Sequence, residues 1–324
     1  MSRAQFSLFP DESPAPTLRE VAEAVRAAGI EGLPDARRRA DQARYQDVEV
    51  KSALAKAQGM PFRWALNPYR GCTHACEYCY ARKYQRHLEL GAGDDFSTMI
   101  FAKRNLPEVL RRDVSRRSWT RETVAVGTAT DPYQPIEGHY RITRRCLEVL
   151  TESRTPFSIV TKGPMVVRDI DVLVKATRSA GCRVAMSVAS VDPDAWARLE
   201  PGTAPPWQRL RAVRQLLDAG VDAGVLMMPL VPGITTSRAH VEHTLQAIAD
   251  AGATFIGANV THLDDGVREH FLGFLTREYP TLVEGYRRLY PRKYAPKGYV
   301  QQIEQLVRDT AARLGVRRTG RRDI

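Results

Sequence analysis

From about residue 62 onward, short runs of apolar residues alternate with longer amphipathic segments. This alternation is typical of repeated βα units, in which helices connect parallel strands. Ala-Gly pairs at 180–181, 219–220 and 251–252 follow three of the amphipathic segments, where the glycine that ends a helix is expected. The pattern predicts strands near 64–67, 123–128, 157–161, 183–189, 223–228 and 255–260, and helices near 76–90, 142–152, 168–179, 207–219 and 237–251.

About six such units predict an α/β fold of the partial TIM type, a (β/α)6 barrel whose functional residues lie on loops at the C-terminal ends of the strands. Residues 59–280 form this predicted core. Residues 1–58 are predicted to be an N-terminal peripheral segment, with one amphipathic helix that ends before Gly29. Residues 281–324 are predicted to be a basic helical C-terminal extension.

Composition excludes several classes of protein. Apolar residues make up 43% of the chain and charged residues 26%, which is the balance of a globular rather than a disordered protein. No apolar run approaches the roughly 18 residues of a membrane-spanning helix, so we expect no membrane association. The first residues include acids and lack the apolar stretch of a secretory signal. Because five cysteines are odd in number and few for this length, we expect a reducing, cytoplasmic location.

The net charge of +11 is concentrated in two regions, residues 103–121 and residues 285–324. The second region carries +8 and includes several tyrosines, so it could bind the phosphates and stack on the bases of a nucleic acid. The same tyrosines could instead pack a helix on the core, and the arginines could simply be solvated. The residues concerned are Arg308, Arg313, Arg317, Arg318, Arg321 and Arg322, with Tyr286, Tyr290, Tyr294 and Tyr299 in the region and Tyr279 shortly before it.

Three of the five cysteines, Cys72, Cys76 and Cys79, fall within eight residues. They lie between the first predicted strand and the first predicted helix, where a short loop can bring three thiolates together. Cys146 and Cys182 lie in a predicted helix and strand and offer no fourth ligand of that loop. Three thiolates suit an iron–sulfur cube with one open iron position, which is the mark of a catalytic metal site. The alternative is a zinc knuckle with His74 as the fourth ligand.

The spacing Cys72-x3-Cys76-x2-Cys79, with an aromatic residue before the third cysteine, resembles the radical S-adenosylmethionine (radical SAM) superfamily. The wider string Asn-Pro-Tyr-x-Gly-Cys-x-His-x-Cys-x-Tyr-Cys-Tyr-Ala-Arg, which begins at Asn67, resembles the spore photoproduct lyase-like branch. The resemblance spans about residues 60–275. It implies a 4Fe-4S cluster held by the three cysteines and S-adenosylmethionine bound at the open iron. It further implies reductive cleavage to a 5′-deoxyadenosyl radical that abstracts hydrogen from a substrate, with a flavodoxin- or ferredoxin-like electron donor.

The resemblance also implies which residues contact S-adenosylmethionine. Tyr78 would lie against the adenine, and the strand-end segment that contains Thr130 would contact the methionine amino group. Lys162 would reach the methionine carboxylate, and Ser187 would lie near the ribose or the carboxylate. On the residues alone, Tyr78 could equally pack the helix, and Lys162 and Ser187 could be solvated strand ends. The loop at 228–234 would lie on the adenine side.

Two further positions bear on the substrate. Asn259 and His262 end the sixth predicted strand, where His262 is either a substrate contact or an ordinary polar strand cap. Spore photoproduct lyase carries a cysteine hydrogen donor at the end of its second strand, and Thr128 stands at that position here. Direct reversal of a thymine dimer by that route is therefore not expected, because a hydroxyl is a poor hydrogen-atom donor.

The substrate is left open between a damaged nucleic acid and a peptide or small metabolite. A different class of function is also left open, namely an iron–sulfur- or zinc-carrying module that binds nucleic acid or serves its repair without radical chemistry.

Overall fold

Six parallel strands form the centre of the fold in the computed structural model, which describes residues 43–57, 59–88, 93–264 and 266–317. The predicted helix before Gly29 and the arginines at 318, 321 and 322 lie outside the described residues. The strands are β1 (Arg44–Val48), β2 (Leu54–Lys56), β3 (Trp64–Leu66), β4 (Tyr69–Arg70), β5 (Met99–Lys103), β6 (Val124–Val126), β7 (Phe157–Thr161), β8 (Cys182–Ser187), β9 (Asp222–Leu230) and β10 (Ile256–Val260).

Helices connect these strands and follow the last of them. Three described segments are 3₁₀ helices, at Tyr80–Leu88, Pro164–Asp169 and Pro280–Leu282. The α-helices are α1 (Asp95–Thr98), α2 (Leu106–Val114), α3 (Glu137–Tyr140), α4 (Ile142–Glu152), α5 (Ile170–Ser179), α6 (Pro193–Leu199), α7 (Pro206–Asp218), α8 (Arg238–Asp250), α9 (Val267–Glu278), α10 (Val283–Leu289) and α11 (Lys297–Arg313).

The main sheet has the strand order β10-β9-β8-β7-β6-β3-β2. Six neighbouring strands of this sheet are parallel to one another: β3, β6, β7, β8, β9 and β10. Strand β2 pairs with β3 in the antiparallel direction and forms the edge of the sheet. The six parallel strands correspond to the six predicted strands, so the α/β partial-barrel prediction is confirmed. A second sheet of order β1-β5-β4 carries the chain from β4 into the following loop.

The predicted start of the first helix, at residue 76, is wrong. Residues 71–79 form an irregular loop, and a 3₁₀ helix begins only at Tyr80. Gly71 and Ala75 take left-handed backbone angles, with φ of 80° and 53°. A residue with positive φ cannot continue a right-handed helix, so the chain turns twice within this segment. The helix predicted from 168 likewise begins as the 3₁₀ helix at Pro164 and becomes α-helical at Ile170.

Alternation along the strands separates the two faces of the sheet. Ile159, Val184 and Val225 are fully buried in the main core beneath the helices. On the opposite, concave face, Ala185, Leu226 and Phe255 form a small separate cluster. The concave face is therefore filled only in part by apolar side chains, which leaves its C-terminal rim to polar residues.

The flanking segments pack against this core. β1 and β2, both from the predicted N-terminal segment, pair with β5 and β3. Helix α11 buries Ile303, Val307 and Ala311 in the main core. None of the described helices has the length and apolar character that crossing a bilayer requires. The domain boundaries at 58 and 280 remain predictions.

Gly224 provides a test of the concave face, because a Cβ at this position would lie 2.4 Å from the Phe255 carbonyl oxygen and 2.6 Å from its ring. Such overpacking costs about 1–3 kcal/mol. We therefore expect Gly224→Ala to lower the free energy of unfolding in urea by that amount. Gly285→Ala is the control, because no atom lies within 4 Å of its Cβ position and alanine favours the α10 helix. Equal stability of the two variants would contradict the packing described.

Candidate active site

The cysteine loop, residues 71–79, places its three thiols at the C-terminal rim of the sheet. Cys72 and Cys76 are buried, Cys79 is half-buried, and all three are free thiols. The amide of Ala75 donates to the Cys72 carbonyl at 3.3 Å, and the amide of Cys79 donates to the Cys76 carbonyl at 3.2 Å. These tight turns keep the cysteines on one side of a short segment.

The loop after β6 supports the cysteine loop through the Gly71 carbonyl. The Thr130 hydroxyl donates to that carbonyl at 2.6 Å, and the Gln134 amide donates to it at 3.3 Å. The Gln134 side-chain oxygen accepts from the Thr73 amide at 3.2 Å. Thr130, predicted to lie near the methionine amino group, is therefore also a support of the loop that carries the cysteines.

A buried contact between His74 and Asp131 joins the same two loops. His74 Nδ1 lies 3.2 Å from Asp131 Oδ2, and both side chains are less than a tenth exposed. Asp131 also accepts hydrogen bonds from the Thr161 hydroxyl at 2.5 Å and the Lys162 amide at 2.6 Å. Burial acts to raise the pKa of the Asp131 carboxyl, but His74 and these hydrogen bonds outweigh it and lower the pKa to about 2. His74 is thus held in a polar network with Asp131.

The end of α6 and the residues that follow it bind the cysteine loop from the other side. The Glu77 amide donates to the Leu199 carbonyl at 3.0 Å, and the Gly202 amide donates to the His74 carbonyl at 3.1 Å. The approach requires glycine, since a Cβ on Gly202 would lie 2.3 Å from the Thr73 carbonyl oxygen. The loop is therefore held by side chains of the β6 loop on one side and by main-chain hydrogen bonds on the other.

Glu200 is the centre of a buried polar cluster, which we call the Glu200 cluster and which comprises Tyr78, Lys162, Ser187, Glu200 and Arg209. The Tyr78 hydroxyl donates to Glu200, whose other carboxylate oxygen lies 2.6 Å from Arg209 Nη1. Lys162 Nζ lies 3.9 Å from Glu200 Oε1 and donates to the Ser187 hydroxyl at 2.8 Å. The Lys162 ammonium also lies 5.7 Å from the centre of the Tyr78 ring. Three of the four predicted S-adenosylmethionine contacts thus gather at one point.

The charges of this cluster compensate one another. Burial acts to raise the pKa of Glu200, but Arg209 and Lys162 outweigh it and the pKa is lowered. Burial acts to lower the pKa of Lys162, but Glu200 and Cys76 outweigh it and the pKa is raised. Both groups are therefore charged at neutral pH. Sequence reasoning missed Glu200 and Arg209; the only signal was a glutamate placed directly before a Pro-Gly turn.

The two remaining cysteines lie elsewhere. Cys146 is fully buried in α4 within the main core. Cys182 is the first residue of β8, at the end of the parallel sheet opposite the cysteine loop. Both therefore lie outside the cysteine loop.

A row of aromatic rings lies at the same rim, beside the cysteine loop. The His262 ring centre is 5.9 Å from that of Tyr80 and 5.9 Å from that of Tyr294. Tyr80 donates its hydroxyl to the Thr128 carbonyl, which connects this row to the end of β6. Burial, followed by the nearby Lys293, lowers the pKa of His262, so its ring is neutral at neutral pH.

The loop at 228–234 is packed rather than open. Val231 is fully buried and Ile234 is nearly so. The Tyr286 hydroxyl donates to the Pro232 carbonyl at 2.7 Å, which fixes this loop to α10.

Comparison with known proteins places the chain in a family. The model of the radical SAM superfamily matches residues 66–248, which include the cysteine loop and the Glu200 cluster. An uncharacterized protein of Mycobacterium tuberculosis (strain ATCC 25618 / H37Rv) is 38% identical over 303 residues, covering 92% of this chain and 86% of that protein. The Radical SAM Nalpha-GlyT isomerase of Pseudomonas phage M6 is 26% identical over 57% of this chain and 36% of its own length.

Solved structures show the same fold. A mutant of spore photoproduct lyase with bound AdoMet and dinucleoside spore photoproduct has a TM-score of 0.67 to this chain at 16% identity, and 94% of each chain is covered. At this identity the likeness establishes the fold alone. The family match, however, covers more than half of the chain and contains the cysteine spacing. The chain therefore belongs to the radical SAM superfamily.

Proposed function

We propose that this enzyme holds a 4Fe-4S cluster through Cys72, Cys76 and Cys79 and uses it with S-adenosylmethionine to abstract a hydrogen atom from its substrate. One observation carries the proposal: a loop with three free cysteines lies against the Glu200 cluster, which presents an ammonium, a hydroxyl and an aromatic ring. The thiols would bind the cluster, and the polar groups would bind S-adenosylmethionine.

The donor set fits a cluster better than a single zinc ion. Burial raises the pKa of the Cys72 thiol well above its ordinary value, and the nearby Cys76 and Cys79 raise this pKa further. Yet within the described ranges, no three His, Cys, Asp or Glu side chains converge on a point that would hold one metal ion. Tetrahedral zinc needs sulfurs within about 4 Å of each other, because each Zn–S bond is about 2.3 Å. A four-iron cube instead takes each thiolate on a different iron.

Burial of the thiols has a consequence for loading. It raises the pKa of Cys76 to about 12, so this thiol is protonated at neutral pH in the free protein. Iron binds thiolates, and binding therefore releases protons. The enclosed loop would then exclude water from the bound cluster.

The Glu200 cluster supplies the groups for S-adenosylmethionine. Lys162 would bind the methionine carboxylate, Ser187 would bind the same carboxylate or the ribose, and Tyr78 would lie against the adenine. When bound, the cluster and S-adenosylmethionine supply the radical chemistry, while these side chains orient the cofactor and keep the site closed to water. A flavodoxin- or ferredoxin-like protein would deliver the electron, in a reducing cytoplasm that keeps the cysteines free.

Replacement of any one of the three loop cysteines by alanine tests the cluster. Each variant loses one thiolate that no other described cysteine can replace. After anaerobic reconstitution we expect iron and sulfide to fall to near background and 5′-deoxyadenosine formation with dithionite to fall below about one hundredth of the wild-type rate.

Cys182→Ala is the matched control, because Cys182 lies at the opposite end of the sheet. This substitution should leave the iron and sulfide content and the cleavage of S-adenosylmethionine unchanged. A wild-type protein that binds one zinc and no iron, or loop variants that retain the cluster, would sink the proposal.

Lys162→Gln tests the binding of S-adenosylmethionine. A hydrogen bond to a charged group contributes about 1.5–3 kcal/mol, so we expect the dissociation constant to rise roughly 10- to 150-fold. Isothermal titration of the reconstituted protein measures it. Lys175→Gln, at an exposed position on α5, is the control. An unchanged affinity in the Lys162 variant would remove Lys162 from the binding site.

A nucleic acid is the substrate class that the surface favours. The structure separates the five tyrosines of the C-terminal region. Tyr286 and Tyr290 are buried, and their hydroxyls donate to backbone carbonyls. Tyr279 packs beneath Arg198, and Tyr299 is bonded to Thr236. Tyr294 alone among the five is exposed, with 65% of its surface accessible, and it lies at the rim beside His262.

The basic residues near Tyr294 favour the same partner. Residues 287–297, which we call the rim segment, contain five lysines or arginines and no acidic residue. Two of these five cations pair with carboxylates from outside the segment, Arg287 with Glu284 and Lys293 with Asp264. Arg308 and Arg313 both pair with carboxylates, Glu304 and Glu242, so the excess of positive charge lies in the rim segment. The surface for phosphates is therefore proposed at the rim segment rather than in the residues that follow it.

One protein of the same fold binds a dinucleoside, which supports this substrate class. A solved structure of spore photoproduct lyase holds a dinucleoside, and the phage relative is named a GlyT isomerase. Thr128 accepts a hydrogen bond from Asn67 at 3.2 Å at the end of β6. Because a hydroxyl is a poor hydrogen-atom donor, we do not propose that this protein reverses a thymine dimer with Thr128 as the hydrogen donor. We propose a nucleic acid as the substrate and a reaction different from that of spore photoproduct lyase.

Tyr294→Ala tests this substrate class. Stacking of a base on an aromatic ring contributes about 1–3 kcal/mol, so we expect single-stranded oligonucleotides to bind roughly 5- to 150-fold more weakly in fluorescence anisotropy. Tyr294→Phe keeps the ring and should bind as the wild type does. Wild-type binding should also weaken as salt rises. A wild-type protein that binds no oligonucleotide would favour the alternative, a peptide or small metabolite.

A further inference from the structure

Arg82 is a buried cation held against the cysteine loop. Arg82 lies three positions after Cys79 in the sequence, and only 2% of its surface is exposed. The guanidinium donates from Nε to the Cys76 carbonyl at 3.0 Å and from Nη2 to the Ala75 carbonyl at 2.8 Å. Its third nitrogen donates to the Gly93 carbonyl at 2.9 Å, and its carbon lies 5.2 Å from the centre of the Phe96 ring.

These contacts fix the position of the guanidinium, and its burial leaves its positive charge weakly screened. The planar fork reaches two successive carbonyls of the loop, which a lysine ammonium cannot match in geometry. Arginine stays protonated in proteins, so the positive charge beside the loop is permanent. Because the group is buried, water and salt screen that charge little.

We propose that Arg82 is a positioning residue for the cysteine loop and that its charge raises the reduction potential of the cluster. This inference rests on the proposed function. Reduction adds one electron from a low-potential donor and breaks no bond, so the cluster becomes one charge more negative. A fixed positive charge stabilises the reduced form more than the oxidised form. The net charge around a cluster and the hydrogen bonds near its ligands are known determinants of its potential.

Three other cations near the loop pair with carboxylates and serve for comparison. Lys162 and Arg209 both pair with Glu200 in the Glu200 cluster. Lys83, next to Arg82 in the chain, lies 2.7 Å from Asp264 and its side chain is 33% exposed. Lys83 therefore offers a matched control, since its loss removes a charge that solvent and Asp264 already screen.

The test is a dye-mediated redox titration of the reconstituted cluster, followed by electron paramagnetic resonance in the absence of S-adenosylmethionine. At the wild-type midpoint potential, we expect Arg82→Gln and Arg82→Met to lower the ratio of reduced to oxidised cluster by about tenfold, which corresponds to about 59 mV for one electron. We expect Arg82→Lys and Lys83→Gln to stay within error of the wild type.

The variants separate charge from support of the loop. A merely structural role would leave the potentials of all cluster-bearing variants alike, and that result overturns the proposal, as does a shift in Arg82→Lys equal to that in Arg82→Gln. If neither neutral variant holds a cluster, Arg82→Lys decides: a wild-type potential supports the proposal and a lower one overturns it. A wild-type protein that assembles no cluster contradicts the proposed function instead.

Discussion

The buried carboxylate of Glu200 is the constraint on which the site depends. A charge removed from water must be compensated, and removal of one partner from such a group costs about 3–5 kcal/mol. Glu200 meets this requirement with Arg209 from α7, Lys162 from the end of β7 and the Tyr78 hydroxyl from the cysteine loop. One carboxylate therefore fixes three separate segments relative to each other. The groups proposed to bind S-adenosylmethionine are held in place before any ligand arrives.

The cysteine loop is supported in the same way from its other side. The Asp131 carboxylate joins His74 of the loop to the end of β7, and Thr130 holds the Gly71 carbonyl. A loop with two left-handed residues has few hydrogen bonds of its own, so its shape must be imposed by neighbouring segments. The two buried carboxylates thus hold the cysteine loop in place, and neither is a ligand in the proposed site. Supports of this kind are expected around metal sites generally.

The sequence predicted the sheet well, and it placed the three cysteines in one loop, because both features depend on local pattern. Alternating apolar strands and the spacing of Cys72, Cys76 and Cys79 are visible within a few residues. The Glu200 cluster could not be predicted, since Tyr78 and Glu200 are 122 positions apart and only the fold brings them together. The first helix was misplaced because no local signal marks the left-handed turn at Ala75. The tyrosines of the C-terminal region looked alike in sequence, and only burial separates Tyr294 from Tyr286.

This distribution of long-range contacts explains how one fold can serve different reactions. The cysteine loop and the Glu200 cluster are built from strand ends and helix starts of the core, where parallel strands converge at one rim. The aromatic row is assembled differently, because Tyr80 follows the cysteine loop, His262 follows the last strand, and Tyr294 comes from the C-terminal extension. Substitution in the extension can therefore change what lies at the rim without disturbing the buried carboxylates. In the proposed function, the core would therefore set the chemistry, and the segment that contains Tyr294 would set the choice of substrate.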